Sequence, residues 1–376
     1  MSEYIYYFET EAEFNNARNN NYIEPWVSYT VGKGIDYNKQ NHTNVPFTIE
    51  ATQDGTTVYF RQSSYAADAG FDPLKVEVST NNGETWTEVT AAPAEDDVPG
   101  AILAELDKGE KVLIRGRNEA YGFDDQENAV DIVDNCNFYA DKPCYVYGNI
   151  MSLIGGDDFV GLQEVKEYAF AFFFSDYADE FDWSWVLSKE EEELLLPATT
   201  LASNCYANMF WRCIDLVAAP KLPATTLAYG CYQSMFNNCL NLVTAPELPA
   251  TTLAYGCYHN MFCDCAGLIT APELPATTLA NSCYYSMFYG CAGLTAAPEL
   301  PATTLTDHCY KNMFNGCTNL SYIKAMFTTT PGTSCTKDWV KNVKGTGTFV
   351  KNSAATWTTT GADGVPTGWT VETTTE

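Results

Sequence analysis

The most regular pattern along the chain is a set of apolar positions that recurs every 26 residues. The hexapeptide Leu-Pro-Ala-Thr-Thr-Leu marks the period, because it begins at Leu196, Leu222, Leu248, Leu274 and Leu300. Self-similarity at a period of roughly 20 to 50 residues is typical of a solenoid, in which each unit buries its apolar side only against its neighbours. The spacing therefore predicts five stacked units over residues 196–325.

Within a unit, the apolar residues predict two elements. Cys231, Met235, Phe236 and Cys239 lie at i, i+4, i+5 and i+8, which matches one face of an α-helix. Leu242 then begins a short apolar alternation that stops at a proline, as brief strands do. We therefore expect one strand, a Leu-Pro turn and one helical arc in each unit.

The cysteines of this pattern have three interpretations: buried thiols, disulfides between repeats, or a metal site. Two cysteines eight residues apart on a helix are separated by about 12 Å, whereas a disulfide needs Cα atoms within about 7 Å. Helical arcs of neighbouring units are expected about 8 to 10 Å apart, and zinc ligands usually form closer pairs that include histidine. The pattern favours reduced, buried thiols, with Cys263 as a partly exposed one.

The first third of the chain has the period-two alternation of strands. Segments such as "TTVYFRQ" and "KVLIRGRN" alternate apolar and polar residues between glycine and asparagine turns, and predict an antiparallel, immunoglobulin-like β-sandwich over residues 45–135. Within it, the stretch from Ser79 to Trp86 resembles the Asp-box hairpin of sialidases, with Asn81 in place of the aspartate. A single copy of that box is expected to stabilise a hairpin turn.

The remaining segments are expected to cap or attach these two regions. Residues 1–44 are predicted to be an arm that docks to another subunit. Residues 136–195 are predicted to be a linker and a degenerate first repeat, with Phe172-Phe173 in the place of Met-Phe. Residues 326–376 are predicted to form a β-rich cap and a polar tail.

The net charge limits the partners. The chain carries 20 Lys and Arg against 48 Asp and Glu, a formal charge of -28, which repels a nucleic acid backbone and an anionic membrane surface. No apolar run approaches the roughly 18 residues of a membrane helix. The acidic start, with Glu3, Glu9 and Glu11, does not have the pattern of a secretory signal. We expect neither nucleic acid binding nor membrane insertion.

The motif C-Y-x-x-M-F-x-x-C-x-x-L resembles the BspA-type leucine-rich repeats found in surface proteins of gut Bacteroidetes and in proteins of their phages. Met209-Phe210, Cys213 and Leu216 match the A-F-x-x-C-x-x-L portion of that family, and Cys205-Tyr206 stands where the family often has Ile-Gly. The resemblance implies a right-handed leucine-rich-repeat solenoid used for adhesion or recognition. It does not imply an enzyme, and no cofactor is expected.

Taken together, these patterns predict a mixed α/β multidomain protein: an N-terminal antiparallel β-sandwich, a leucine-rich-repeat solenoid of 26-residue repeats, and a β-rich C-terminal cap. An enzyme is not expected, because none of His42, His259 and His308 stands in a nucleophile or metal motif.

The variable positions of the repeats are the candidate binding residues. They are Trp211, Arg212, Tyr229, Tyr255, His259, Tyr285, Tyr289 and Lys311. Exposed aromatic side chains are suited to stacking on sugars or anchoring a protein, so the expected ligand is a bacterial surface glycan or protein.

Three biological settings remain open. In the first, the protein is an extracellular phage virion component, a tail-fibre or capsid-decorating adhesin, held to other virion subunits through its N-terminal region. In the second, it is a bacterial cell-surface adhesin whose export signal is absent from this chain. In the third, it is a purely structural virion protein with the repeats as a spacer. A homotrimer would suit a fibre.

Overall fold

The computed structural model describes residues 6–8, 29–31, 35–36, 44–93, 99–124, 132–175, 185–186, 188–189, 192–332 and 334–374. The predicted N-terminal arm, residues 1–44, lies outside the described residues except for three short strands and residue 44. The statements below concern the described residues.

Strands dominate the chain up to residue 195. They are β1 (Tyr6–Phe8), β2 (Tyr29–Val31), β3 (Ile35–Asp36), β4 (Phe47–Ala51), β5 (Thr56–Gln62), β6 (Lys75–Ser79), β7 (Thr87–Thr90), β8 (Ala92–Pro93), β9 (Ala101–Leu106), β10 (Lys111–Gly116), β11 (Gly122–Asp124), β12 (Ile132–Asp134), β13 (Cys136–Ala140), β14 (Cys144–Asn149), β15 (Trp185–Val186), β16 (Ser188–Lys189) and β17 (Glu192–Leu195). Three more strands follow the repeats: β18 (Tyr322–Ala325), β19 (Thr348–Lys351) and β20 (Thr370–Thr373). The helices are α1 (Ser64–Asp68), α2 (Ser152–Gly155) and a 3₁₀ turn (Gly156–Asp158).

Two main sheets form most of the N-terminal region, beside the small sheets β1-β2-β3 and β11-β12. The larger has the order β16-β17-β14-β4-β10-β6-β7, with β15 also paired to β14, and the smaller has the order β13-β5-β8, with β9 also paired to β5. Most pairs are antiparallel, but β14 pairs in parallel with β15 and β17, and β5 with β8. The sheets extend past residue 135, because β13 and β14 pair with β5 and β4.

Side chains from the two sheets meet in one apolar core. Phe47 of β4 lies 5.6 Å, centre to centre, from the ring of Phe138 in β13, and Phe138 stacks on Phe60 at 4.9 Å. Strand β5 alternates buried and half-buried residues along its length, as its period-two sequence predicts. Phe47 also contacts Phe173 at 5.8 Å, so this core continues into the repeats.

The Asp-box-like stretch forms the predicted hairpin turn between β6 and β7. The Oδ1 atom of Asn81 accepts hydrogen bonds from the Ser79 hydroxyl at 2.8 Å and from the Thr85 N–H at 3.0 Å. The Trp86 Nε1–H donates to the Gly83 carbonyl at 3.1 Å, and the Arg115 guanidinium lies 4.0 Å from the centre of the Trp86 ring. These bonds close the turn, which confirms its structural role.

The predicted mixed α/β class is wrong. Strands account for 26% and helices for only 4%, and each expected helical arc is a series of turns. The expected strand of each unit is reduced to single bridges in most units, as between Ala218, Thr244 and Thr270, and reaches four residues only in β18. A solenoid of strands and helical arcs therefore does not describe the repeats.

In place of a helix, each unit contains overlapping four-residue turns that alternate with bonds to the next unit. The Cys231, Gln233 and Met235 N–H groups donate to carbonyls three residues earlier, at 3.3, 2.9 and 3.2 Å. The intervening Tyr232 and Ser234 N–H groups donate to carbonyls 25 residues later, at 3.0 and 2.8 Å. We call this arrangement the turn ladder. It satisfies both sets of backbone donors without a helix.

A left-handed residue at every fourth position explains why the turns form. In the second unit Gly230, Ser234 and Asn238 have φ values of 55°, 53° and 62°. Positive φ at the third residue defines type II turns and is tolerated best by glycine, asparagine and aspartate. The other units place such residues at the equivalent positions, with a few exceptions such as Arg212 and His308.

The buried side chains form continuous columns through the repeats. The rings of Tyr206 and Tyr232 stack 5.8 Å apart and 10° from parallel, and those of Phe210 and Phe236 stack 5.4 Å apart at 1°. The same contacts recur between later units. Full burial of each such ring is worth about 2 to 3 kcal/mol, but only when a neighbouring unit covers it.

Both ends of the turn ladder differ from expectation. At the start, Phe174 stacks on Phe210 at 5.1 Å and Phe170 on Tyr206 at 5.9 Å. Phe173-Phe174, not Phe172-Phe173, therefore takes the Met-Phe position, so the predicted register was off by one residue. At the other end, the Phe314 N–H donates to the Trp339 carbonyl at 2.8 Å. A sixth unit therefore follows the five, and its turns lie between β18 and β19 of the parallel sheet β18-β19-β20.

Except for Cys213 and Cys263, which are partly exposed, the repeat cysteines are buried free thiols, as predicted, but for a different reason. Because neighbouring units are joined by backbone hydrogen bonds, the expected separation of 8 to 10 Å between units is wrong. The Cys239 thiol donates to the Phe210 carbonyl at 3.1 Å, and Cys265 and Cys291 repeat this bond one unit on. Burial raises the pKa of Cys231 to about 12. The thiols therefore act as small apolar groups with weak donors.

Across the described ranges, no helix has both the length and the apolar character that a membrane span requires.

The burial of the thiols predicts their reactivity. Of the 14 cysteines, only Cys213 and Cys263 are partly exposed, and burial together with the Asp264 carboxylate raises the pKa of Cys263. Because thiolates are the reactive species, we expect a colorimetric thiol titration at pH 8 to find no more than these two groups in the native protein, and all 14 in denaturant. A Cys213→Ser variant should lose most of the native signal. Several fast-reacting groups in that variant would contradict the buried columns.

The turn ladder predicts an unequal response to valine at two neighbouring sites. Asn260 has a φ of 55°, a conformation that a β-branched residue adopts only under strain. We expect Asn260→Val to reduce stability by about 1 to 2 kcal/mol, and Asn260→Gly to leave it unchanged or higher. Gln233→Val is the matched control, since Gln233 does not have a positive φ. Equal urea midpoints for the two valine variants would be incompatible with the ladder.

Candidate recognition surface

The outward side of the turn ladder is the candidate functional site. Along each unit, buried pairs such as Tyr232 and Met235 alternate with residues that reach the surface. Equivalent positions form three columns, each with one position per unit. They are Ser203, Tyr229, Tyr255, Asn281 and Asp307 in the first; Ala207, Gln233, His259, Tyr285 and Lys311 in the second; and Trp211, Asn237, Cys263, Tyr289 and Asn315 in the third. Two of these positions, Ala207 and Asn315, hold buried residues. We call these three columns the turn face.

The backbone fixes the register of the turn face. In the second column, the carbonyls of His259, Tyr285 and Lys311 accept hydrogen bonds from residues of the preceding unit at 2.8, 2.9 and 2.8 Å. The columns are therefore held by the same bonds that build the ladder, and not by contacts between the side chains. Such a surface is ordered before any ligand arrives, which lowers the entropic cost of binding.

In the first column, two exposed tyrosines form a stacked pair. The rings of Tyr229 and Tyr255 lie 5.4 Å apart and 8° from parallel, and each residue is 52% exposed. When large aromatic rings with this exposure are grouped, they often mark an interaction site. Their outer edges are free to receive a flat apolar surface.

The second column combines an imidazole, a phenol and an ammonium group. The rings of His259 and Tyr285 lie 4.5 Å apart, and Lys311 Nζ lies 5.0 Å from the centre of the Tyr285 ring. Burial, and to a smaller degree the charge of Lys311, lowers the pKa of His259 to about 4. At neutral pH, therefore, His259 is an uncharged ring that can donate or accept a hydrogen bond.

The third column begins with a tryptophan beside an arginine. The Arg212 guanidinium lies 5.2 Å from the centre of the Trp211 ring, and Phe172 contacts the same ring edge-on at 6.3 Å. Further along the column, Tyr289 is 38% exposed. Asn237 places a half-buried amide group between these aromatic residues, and Asn315, which follows Tyr289, is buried.

Seven of the eight residues that the sequence singled out belong to the columns of the turn face: two in the first, three in the second and two in the third. The eighth, Arg212, follows Trp211 directly and is exposed. Placement on one face does not by itself assign binding, which stays a prediction.

Sequence analysis missed two residues that extend this surface. The Asn312 N–H donates to the Lys337 carbonyl at 3.0 Å and the Gly316 N–H to the Lys341 carbonyl at 2.9 Å. Lys337 therefore continues the second column and Lys341 the third. The sequence did contain a sign of this additional unit, because Cys335 follows Cys309 by the same 26 residues.

The described residues do not bring together a group of metal ligands. Beside the first column, Asp307 Oδ2 lies 2.8 Å from His308 Nδ1, and hydrogen bonds from Ser334 and His308 lower the pKa of Asp307. Because the Ser334 hydroxyl bonds the carboxylate and not the imidazole, this trio does not have the order of a nucleophile with its base. Elsewhere, an open groove of about 360 Å³ lies between Pro272, Glu273, Pro298 and Glu299.

Comparison with protein-family models, with curated proteins and with solved structures finds no match to this chain. The resemblance to BspA-type repeats therefore stays a prediction from sequence.

The low pKa of His259 predicts a pH dependence of stability. An unfolded histidine gains its proton near pH 6.5, whereas folded His259 gains it near pH 4. Between these values the unfolded state binds more protons, so acidification destabilises the folded protein. We expect His259→Gln to lose less stability than the wild type between about pH 7 and pH 4.5, in matched urea titrations. Lys311→Gln should raise the pKa of His259 by NMR. An imidazole that titrates near pH 6.5 in the folded protein would refute the burial.

Proposed function

We propose that the protein is a non-enzymatic recognition or adhesion protein whose turn face binds a component of a bacterial surface. The observation that carries this proposal is the grouping of aromatic and basic side chains on one ordered face, with Arg212 beside it. Tyrosine, tryptophan and arginine are the residues that contribute most to binding at protein surfaces.

The chemistry of the face suits a carbohydrate. Aromatic rings offer flat apolar surfaces to the faces of sugars, and Tyr229, Tyr255 and Tyr289 present such rings. Gln233 and Asn237 supply amide donors and acceptors for hydroxyl groups. The columns repeat these groups from unit to unit, so the surface is extended and can hold several sugar residues at once.

The setting of this recognition is part of the proposal. By the family resemblance, the protein belongs to a phage virion, as a tail-fibre or capsid-decorating adhesin, or to the surface of a bacterium. In either setting the repeats face the target cell while the region before residue 196 attaches to the particle or cell. The charge of -28 disfavours nucleic acid as the ligand.

Two double variants test the proposal. Tyr229→Ala/Tyr255→Ala removes the stacked pair of the first column, and Trp211→Ala/Tyr289→Ala removes the aromatic residues of the third. Labelled protein is incubated with a panel of gut Bacteroidetes cells, with and without capsular polysaccharide, and bound fluorescence is measured. We expect strain-selective binding that falls by about tenfold or more in each double variant, because buried aromatic contacts contribute about 1 to 2 kcal/mol or more each.

A matched control separates loss of contact from loss of folding. Tyr65 is a similarly exposed tyrosine on α1, away from the repeats, and Tyr65→Ala should bind as the wild type does. Binding to no strain would favour the purely structural role. Binding that survives both double variants would place the binding site elsewhere on the molecule.

A further inference from the structure

The distribution of lysines on the repeats narrows the class of ligand. In a chain with a formal charge of -28, Lys311, Lys337 and Lys341 lie in the last rows of the turn face, and Lys344 follows three residues after Lys341. Lys311 is half-buried, and the other three are exposed. We call them the lysine cluster. A local patch of one sign in a protein of the other sign attracts ligands that the whole molecule would repel.

The ladder holds the lysine cluster together against its own repulsion. Lys311 and Lys337 occupy successive rows of the second column, because the Asn312 N–H that follows Lys311 bonds the Lys337 carbonyl at 3.0 Å. Lys341 lies in the third column, in the same unit as Lys337. Like charges in neighbouring rows repel each other. This repulsion destabilises the free protein, and a bound anion would remove it.

Few acidic groups neutralise these charges. Asp338 lies 3.4 Å from Lys341 Nζ. Hydrogen bonds from Ser334 and His308, and to a smaller degree the charge of Lys311, lower the pKa of Asp307. Among the described residues, Lys311, Lys337 and Lys344 do not form a direct ion pair with a carboxylate, whereas Lys221, off the turn face, pairs with Glu193 at 3.0 Å. The ammonium groups of Lys337 and Lys344 are therefore available to an external anion, while Lys311 and Lys341 are each partly neutralised by one carboxylate.

We propose that the ligand of the turn face is an acidic polysaccharide, which lays its sugar rings along the aromatic columns and its carboxylates on the lysine cluster. This inference rests on the proposed function. Lys311 links the two parts, because its Nζ lies 5.0 Å from the Tyr285 ring and faces the same ligand. A polymer with one carboxylate every one or two sugars meets the lysines without the dense charge of a nucleic acid, which the rest of the chain repels.

The test compares an acidic polymer with its neutral ester. Binding of the full chain to polygalacturonate and to its methyl-esterified form is measured by biolayer interferometry, with hyaluronan, alginate and dextran sulfate as further acidic probes. We expect binding to at least one acidic polymer that weakens when NaCl rises from about 50 to about 500 mM. Esterification of polygalacturonate should abolish most of the binding to this polymer.

A pair of variants with equal change in charge locates the contact. Lys337→Gln/Lys341→Gln should weaken binding by about tenfold, since each exposed charge pair contributes about two- to fivefold. Lys108→Gln/Lys221→Gln removes the same charge from exposed sites off the turn face, and should stay within about twofold of the wild type.

Three results would overturn the inference: no binding to any acidic polymer, equal binding to the ester, or equal losses in the two lysine variants. The proposed function fails separately. If cells are bound through Tyr229 and Tyr255 while the lysine variants and salt have no effect, recognition stands and the acidic ligand does not.

Discussion

The hydrogen bond from one unit to the carbonyl 25 residues ahead is the constraint on which the repeats depend. Half of the N–H groups in the turn ladder have no partner inside their own unit, as Tyr232 and Ser234 illustrate. Buried donors without partners are costly, so a single unit is not a stable structure. Stacking of the units supplies the partners. It also places equivalent residues of neighbouring units directly over one another, so their tyrosine and phenylalanine rings stack.

The same hydrogen bonds set the distance between equivalent surface residues of neighbouring units. The inner and outer columns share one backbone, so the exposed rings of Tyr229 and Tyr255 are 5.4 Å apart for the reason that the buried rings of Tyr206 and Tyr232 are 5.8 Å apart. Side chains of the turn face can vary in chemistry, as His259, Tyr285 and Lys311 do in one column, while the distance between rows stays constant. The buried residues thus determine the geometry of recognition and the exposed ones its specificity.

Sequence predicted the period and most of the buried residues, because each depends only on spacing. Of the candidates expected to be exposed, only half are: Tyr229, Tyr255, Tyr289 and Arg212 are exposed, whereas Trp211, His259, Tyr285 and Lys311 are half-buried. Sequence did not predict the backbone between the buried residues. Buried residues at i, i+4 and i+8 fit a helix face and a four-residue turn period equally well. The residues that distinguish the two structures are Gly230, Ser234 and Asn238, which have positive φ and each precede a buried residue by one position. The parallel pairing of β14 with β17 was beyond reach, because it joins segments that no local pattern relates.

The near-identity of the units has a consequence for inheritance. Each unit meets its neighbours through the same backbone bonds and the same buried rings, so a duplication or deletion of 26 codons would preserve the backbone bonds and the buried ring contacts between the remaining units. Recombination between the identical Leu-Pro-Ala-Thr-Thr-Leu segments could therefore lengthen or shorten the turn face in whole rows. Because the turn-face residues differ from unit to unit, such a change would alter both the length of this surface and the side chains that it presents.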